Sequence, residues 1–360
     1  MAEPRAGKAL ERLRARYWRF APERERVLFQ RSELPYTYVD EERLAALTDP
    51  RMRGPIEARS RESLAEYVVA VDDALLEPSW GWAVEGLNRL IPRSLPYGKL
   101  EQGPHVGRFL VKRALYGTRP KRVDEVVSLR DKYETYYWHV FGDLLPRLVV
   151  LAEHDVAGDL PLVVAKPVFE APYFEQVLER AGLDRRTWIV QDGKLHVRAG
   201  RAYFCRPLRY WRPHLDAVLR MLRVPVDETP PERRLFVTRH HEHRTVSNLA
   251  EIERIAAAAG LEVVEPAELS LDEQIELFGA ASKVVGVHGG GMTNIIFRGG
   301  RPLDVLELMA SWWPDPGYFW VSGMFGYRYR QLVGETVPGS THFHVPAAVF
   351  ERELDRFLAA

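Results

Sequence analysis

One cysteine, Cys205, is all the thiol chemistry in this 360-residue chain. A single thiol forms no internal disulfide and builds no zinc cluster, which fits a reducing, cytosolic setting. A surplus of charge of either sign is also missing, because 50 basic residues balance 50 acidic ones. Nucleic-acid binders carry a basic excess, so no nucleic-acid partner is expected. No stretch approaches the ~18 apolar residues of a membrane span, and the N-terminus lacks the apolar core of a secretory signal. The expected location is therefore cytoplasmic. The Arg-rich segment from Lys8 to Phe20 carries Leu10, Leu13, Tyr17 and Trp18 among its charges. It reads either as an amphipathic helix making peripheral contact with the inner face of a membrane or as a helix docked on its own domain.

Internal repeats and low-complexity tracts are missing too. The length fits two domains of roughly 150–200 residues. The clearest boundary is Val224-Pro-Val-Asp-Glu-Thr-Pro-Pro-Glu232, an extended proline-rich linker. The expected division is 1–225 for an N-terminal α/β domain and 226–340 for a second one. A helix within 341–360 follows, with a return onto the first domain left open.

Beyond the linker the pattern is regular. Arg234–Thr238 and Leu261–Val264 read as strands, and Asn248–Ala259 as a helix with Leu249, Ile252, Ala256 and Ala259 on one face. Ser270-Leu-Asp-Glu273 is a capping box opening the next helix. Lys283–Val287 and Leu303–Leu308 are strands, separated by a glycine turn and a helix from about Met292. Alternation of this kind predicts a parallel sheet covered on both faces. The first half is less regular. Val68–Glu85 suggests strands with a hairpin near Pro78–Gly81, and Tyr133–Leu151 a helix. Leu160–Val164, Tyr173–Ala181 and Trp188–Gln191 follow as strand, helix and strand.

The turn is His288-Gly-Gly-Gly-Met-Thr-Asn294. A glycine-rich turn between strand and helix brings backbone amides close to a ligand, and the helix start favours an anion, most often phosphate. The spacing is neither Gly-x-Gly-x-x-Gly nor a Walker loop, so neither a nicotinamide nor ATP is indicated. A tight turn that needs small residues only for packing explains the glycines equally well. Arg239 and Arg244 follow the first strand of the same half, and parallel strand ends converge on one edge. Two guanidinium groups there suit a diphosphate, although either could sit in a solvated loop. The His240, His241 and His243 cluster has the spacing of a flexible loop, and no metal site is expected from it. Glu307 ends the next strand, placed for a ribose diol or simply facing water.

These residues resemble glycosyltransferase family 61, the DUF563-type enzymes. The resemblance lies in Arg234-Leu-Phe-Val-Thr-Arg239, Glu262-Val-Val-Glu-Pro266, Leu269-Ser-Leu-Asp-Glu-Gln274, Gly286–Asn294 and Val305-Leu-Glu-Leu308. It also lies in Tyr137-Trp-His139 with Asp143 and Leu145-Pro-Arg147. Val140 and Gly290 depart from the family's usual aromatic and alanine. The resemblance implies a GT-B-like α/β fold, two Rossmann-like domains facing across a cleft, the second binding a nucleotide-sugar. It implies an inverting transferase using a UDP-linked sugar, with bacterial relatives commonly assigned to capsular polysaccharide or lipopolysaccharide synthesis. The partners it implies are a nucleotide-sugar donor and a glycan or lipid-linked glycan acceptor.

Such a reaction needs charge stabilisation on the leaving diphosphate and a base for the acceptor hydroxyl. The expected donor-site groups are Arg239, Arg244, His288, Gly289, Gly290, Gly291, Met292, Thr293, Asn294 and Glu307. Glu273, fully explained as a cap, is an additional contact. No cofactor or metal is required, the nucleotide-sugar being a substrate. A histidine side chain titrates nearest neutrality, so His139 is the candidate base. Asp143, one helical turn on, either orients the ring or acts as base itself. A packed histidine among Tyr136, Tyr137 and Trp138 is the plainer alternative. The aromatic stretch Trp312–Trp320 suits sugar stacking or interdomain packing. Rival functions are another polysaccharide-modifying transferase, such as a pyruvyl transferase, and a non-catalytic nucleotide-binding module.

Overall fold

The computed structural model describes residues 18–31, 41–47, 49–60, 65–86, 88–95, 106–117, 119–156, 158–226, 231–241 and 243–360. Residues 8–17 of the basic segment and 227–230 of the proline-rich linker lie outside the described residues. The chain forms two compact units, one of residues 1–33 with 64–209 and one of 34–63 with 210–360. They part at Arg209/Tyr210 rather than at the expected 225, and the second unit also takes an early segment.

The first unit is built on a mixed sheet. Its strands are β1 (Arg19–Phe20), β2 (Glu25–Arg31), β3 (Glu66–Leu76), β4 (Ala83–Glu85), β5 (Arg89–Leu90), β6 (Lys121–Ser128), β7 (Leu162–Ala165), β8 (Trp188–Gln191) and β9 (Val197–Arg206). The order is β1-β5-β4-β3-β9-β6-β7-β8, with β2 on β3. β6, β7 and β8 run parallel, and β9 joins them to the antiparallel half through β3. The β3–β4 hairpin turns where Pro78–Gly81 predicts it. In the long strand β9 four successive residues, Ala202–Cys205, are buried, so the alternating pattern is lost over that stretch. Val69, Val71, Val126, Val163, Ile189 and Phe204 form its core.

The expected Tyr133 helix begins instead at Tyr137. It runs as Tyr137–His139, widens to a π-helix over Val140–Leu144, and continues α-helically over Leu145–Glu153. π-segments of this kind are frequent at functional sites.

The second unit carries β10 (Arg233–Val237), β11 (Glu262–Val264), β12 (Ala281–Val287), β13 (Asp304–Ala310), β14 (Arg328–Thr336) and β15 (Phe343–His344). The order is β11-β10-β12-β13-β14-β15, parallel throughout except for β15. β13 is buried along its whole length, as a sheet covered on both faces requires. On one face Ile252 and Ile255 of the Leu249–Ala258 helix join Phe350, Leu354 and Phe357 of the Ala347–Ala359 helix over Phe236 and Leu306. Each such side chain contributes roughly 1.5–3 kcal/mol through burial. The C-terminal helix thus closes the second unit's own core. The helices Glu41–Ala46 and Pro50–Ser60 supply Leu44, Met52 and Ile56 against Met309, Phe319 and Trp320. The early segment joins the second unit through this contact.

Candidate active site

In the second unit β10 lies between β11 and β12. Connections leave β10 and β12 toward opposite faces, and a doubly wound sheet opens its ligand crevice at such a reversal, beyond the carboxyl ends of the strands. The loop after β10 brings Arg239, and the loop after β12 brings His288 and the three glycines.

None of Gly289, Gly290 and Gly291 has a left-handed backbone. What the turn requires is close approach. A β-carbon on Gly289 would lie 1.8 Å from Arg239 Nη1, and one on Gly291 3.0 Å from Val237 Cγ1. Within β12, Gly286 leaves room for Met292, whose Sδ would sit 2.2 Å from a β-carbon there. The turn opens a 3₁₀ helix, Gly290–Arg298, in place of the expected α-helix. Its first two amides, those of Gly290 and Gly291, have no intrahelical acceptor.

Arg239 and Arg244 form no ion pair among the described residues. Arg239 is half-buried, and its Nε has no hydrogen-bond partner among them. Burial, and then the neighbouring charge of Arg244, push its pKa down. Arg244 takes a left-handed backbone (φ 58°), donates its amide to Thr341 O at 3.0 Å, and stacks its guanidinium 4.9 Å from the Trp313 ring centroid. Thr245 Oγ1 donates to Arg239 O at 2.6 Å, which ties down the loop between them. Two cations that repel one another beside a glycine turn form a site suited to an anion.

Several expected donor-site residues are placed differently. Met292, Thr293 and Asn294 are fully buried. Thr293 Oγ1 is 3.3 Å from Tyr318 Oη, and Asn294 Nδ2 donates to Gln274 Oε1 at 2.7 Å. Their side chains brace the turn from within the core. Glu307 is also fully buried, so the open ribose contact does not hold. It accepts from His288 Nδ1 at 2.5 Å and from Tyr329 Oη at 2.6 Å. His288 is thereby oriented with Nε2 unengaged by Glu307. Tyr318 Oη donates to Gly289 O at 2.5 Å, locking the first peptide of the turn. Burial raises the pKa of both tyrosines, which remain neutral donors. Glu273 is exposed, and its Oε2 accepts from Ser270 N at 2.8 Å. The capping box is complete, and it is the role the structure shows for Glu273.

The first unit holds the other candidate group. His139 Nδ1 contacts Asp143 Oδ2 directly, and Arg209 Nε is 3.6 Å from Asp143 Oδ1. Burial acts to raise the Asp143 pKa, but Arg209, His139 and Arg147 outweigh it and hold the carboxyl at about 2. The ionised carboxylate therefore accepts from Nδ1–H, which leaves Nε2 as the basic nitrogen. A carboxylate this acidic is a poor base for a hydroxyl, so of the two roles open to Asp143, orienting the ring is the one its chemistry fits. His139 stays partly accessible, its side chain 20% exposed between the Tyr133 and Tyr136 rings. Arg147 is fully buried, donating to Leu129 O, Arg130 O and Asp131, and pins the helix to the end of β6.

Sequence reasoning overlooked the parts played by Tyr318, Tyr329 and Arg209. Only Tyr318 fell inside a stretch already noted for its aromatics. Within Trp312–Trp320, Trp320 packs on Tyr210 and Phe319 on Tyr329, inside the second unit. His240, His241 and His243 do not converge on a common centre. Among the described residues no group of three His, Cys, Asp or Glu side chains could hold a metal ion, and no helix is long and apolar enough to cross a membrane.

No curated protein matches the chain. Residues 137–303 match the family model described as Glycosyltransferase 61. The match begins in the helix bearing His139 and Asp143 and runs through the loops bearing Arg239, Arg244 and the glycine turn. Over that span, a little under half of the chain, the protein is similar to glycosyltransferase family 61, and the match supports a glycosyltransferase.

Proposed function

We propose that the protein is an inverting, GT-B-type transferase. It moves a sugar from a nucleotide-diphosphosugar, with UDP-linked donors preferred, to a hydroxyl of a glycan acceptor in surface polysaccharide synthesis. The observation that carries this reading is the pair of arginines, neither in an ion pair among the described residues, beside a glycine turn at the sheet's switch point. The donor diphosphate lies against Arg239, Arg244 and the amides of residues 289–291, and His288 Nε2 reaches the phosphates or the sugar. The acceptor oxygen attacks the anomeric carbon as the bond from that carbon to the diphosphate oxygen breaks, so the configuration inverts. The hydroxyl proton passes to His139 Nε2, and Asp143 supports the imidazolium that forms. Each preorganised donor on the departing charge contributes about 3 kcal/mol by analogy with oxyanion holes, or roughly a hundredfold in rate.

Incubation with a panel of UDP-, GDP-, dTDP- and CMP-linked sugars tests this reading, with released nucleotide measured in the absence of acceptor. Slow hydrolysis of a nucleoside-diphosphate sugar supports it. A chain that binds and turns over none of them, but transfers pyruvate from phosphoenolpyruvate, supports the pyruvyl-transferase alternative instead.

A further inference from the structure

The turn Pro78–Gly81 in the first unit is held by buried charge. Glu77, 1% exposed, accepts from the amides of Ser79 (2.7 Å) and Trp80. Arg130, 3% exposed, donates to Ser79 O at 2.8 Å, to Glu134 Oε1 at 2.8 Å and to Gln191. Gly81 has φ 72°, and a β-carbon there would lie 2.2 Å from Arg130 Cβ. Buried ions are retained against a desolvation penalty of several kcal/mol each, so a turn anchored this way is a specified structure. The side chain it presents is Trp80.

Trp80 is half-buried, backed at 4.8 Å by Trp82, which is buried with Trp18 and Phe109. Lys132 Nζ lies 5.2 Å from the Trp80 ring centroid and 5.0 Å from that of Tyr133. Tyr133 stacks 5.6 Å from the His139 ring. Tyr136, 6.4 Å from Tyr133 and 6.1 Å from His139, is 57% exposed. These contacts form a strip of aromatic rings, bridged between Trp80 and Tyr133 by the Lys132 ammonium, that ends at the His139 ring. Rigid aromatic faces suit the C–H faces of sugar rings, and an ammonium between them donates to ring hydroxyls or a carboxylate.

We propose that Trp80, Lys132, Tyr133 and Tyr136 form a carbohydrate subsite that seats the acceptor's sugar units adjoining the one being glycosylated. The inference rests on the transferase reading above and specifies its acceptor as an oligosaccharide rather than a monosaccharide or small aglycone.

The full chain labelled with 5-fluorotryptophan tests it, with the Trp80 ¹⁹F resonance assigned by its loss in Trp80→Phe. The probes are glucose, xylose, mannose, N-acetylglucosamine and galacturonate, each as monosaccharide and β- or α-linked tetrasaccharide. At least one tetrasaccharide is expected to move the Trp80 resonance and to bind about tenfold more tightly than its monosaccharide. Tyr136→Ala, an exposed position where folding is not at risk, weakens that tetrasaccharide several-fold, whereas the exposed Phe20→Ala does not. The proposal is overturned if no probe moves the resonance, or if a bound tetrasaccharide leaves Trp80 and the Tyr136→Ala affinity unchanged. Acceptor-free turnover of sugar nucleotides by the unmutated chain reports separately on the transferase reading. Turnover without an oligosaccharide effect removes only the subsite.

Discussion

The guanidinium of Arg239 occupies the space a side chain on Gly289 would need, its Nη1 standing 1.8 Å from that virtual β-carbon. A cation is thus laid directly on the first peptide of the glycine turn, where Tyr318 fixes the carbonyl. This contact joins the two halves of the proposed donor site and explains the glycine by the close approach of a guanidinium rather than by backbone conformation.

Two neighbouring glycine substitutions should therefore part company. In Gly289→Ala the displaced atoms are the end of a flexible side chain, so the fold survives and diphosphate affinity falls about ten- to a hundredfold. Gly286→Ala drives into Met292 and Val237 within the core and should lower stability by about 1–3 kcal/mol. Urea unfolding paired with nucleotide titration separates the two outcomes.

The buried Glu307 holds His288 through one oxygen and accepts from Tyr329 through the other. Tyr329→Phe should reduce stability by about 1–3 kcal/mol, because a buried acceptor loses its donor. Glu307→Gln should act chiefly on the donor's KM, since the His288 ring loses the carboxylate that orients it. Thermal unfolding and steady-state kinetics check the pair.

His139→Gln should lower kcat for transfer by about 10²–10⁴-fold, the range of general-base catalysis, with little change in donor KM. Asp143→Asn should come close to it by leaving Nδ1 without an anionic acceptor. Asp143 stays ionised down to about 2.

Burial raises the Glu134 carboxyl to about 7, against the opposing pull of Arg130. Its folded pKa thus lies above its unfolded one. The folded state holds the extra proton, and stability present at acid pH is lost as pH rises from about 4.5 to about 7. The loss from this one group is up to about 3 kcal/mol. Urea midpoints should fall across that window in the unmutated chain, and the slope should flatten in Glu134→Gln.

The second unit's strand order was nearly readable from its sequence. Short β-branched runs alternate with amphipathic helices there, and Ser270 with Glu273 marks a helix start through chemistry confined to four residues. Adjacent strand ends then bring Arg239 to the glycine turn with no further information. The residues that complete the site were not legible in this way. Tyr329 lies on β14 and Arg209 at the close of the first unit's chain, and neither belongs to a local pattern. Their roles arise from long-range packing. Glu307 was misplaced for a related reason: a carboxylate in an apolar strand looks like a strand-end charge until two donors are shown to bury it. The early helices of the second unit went unseen because their partners, Met309 and Phe319, are far away in sequence.

The most direct test of the central claim is calorimetric titration of UDP and UMP into the unmutated chain and the Arg239→Gln/Arg244→Gln variant. The account predicts that UDP binds at least about tenfold more tightly than UMP to the unmutated chain, and that the preference disappears in the variant. Equal UDP affinity in both proteins would contradict it.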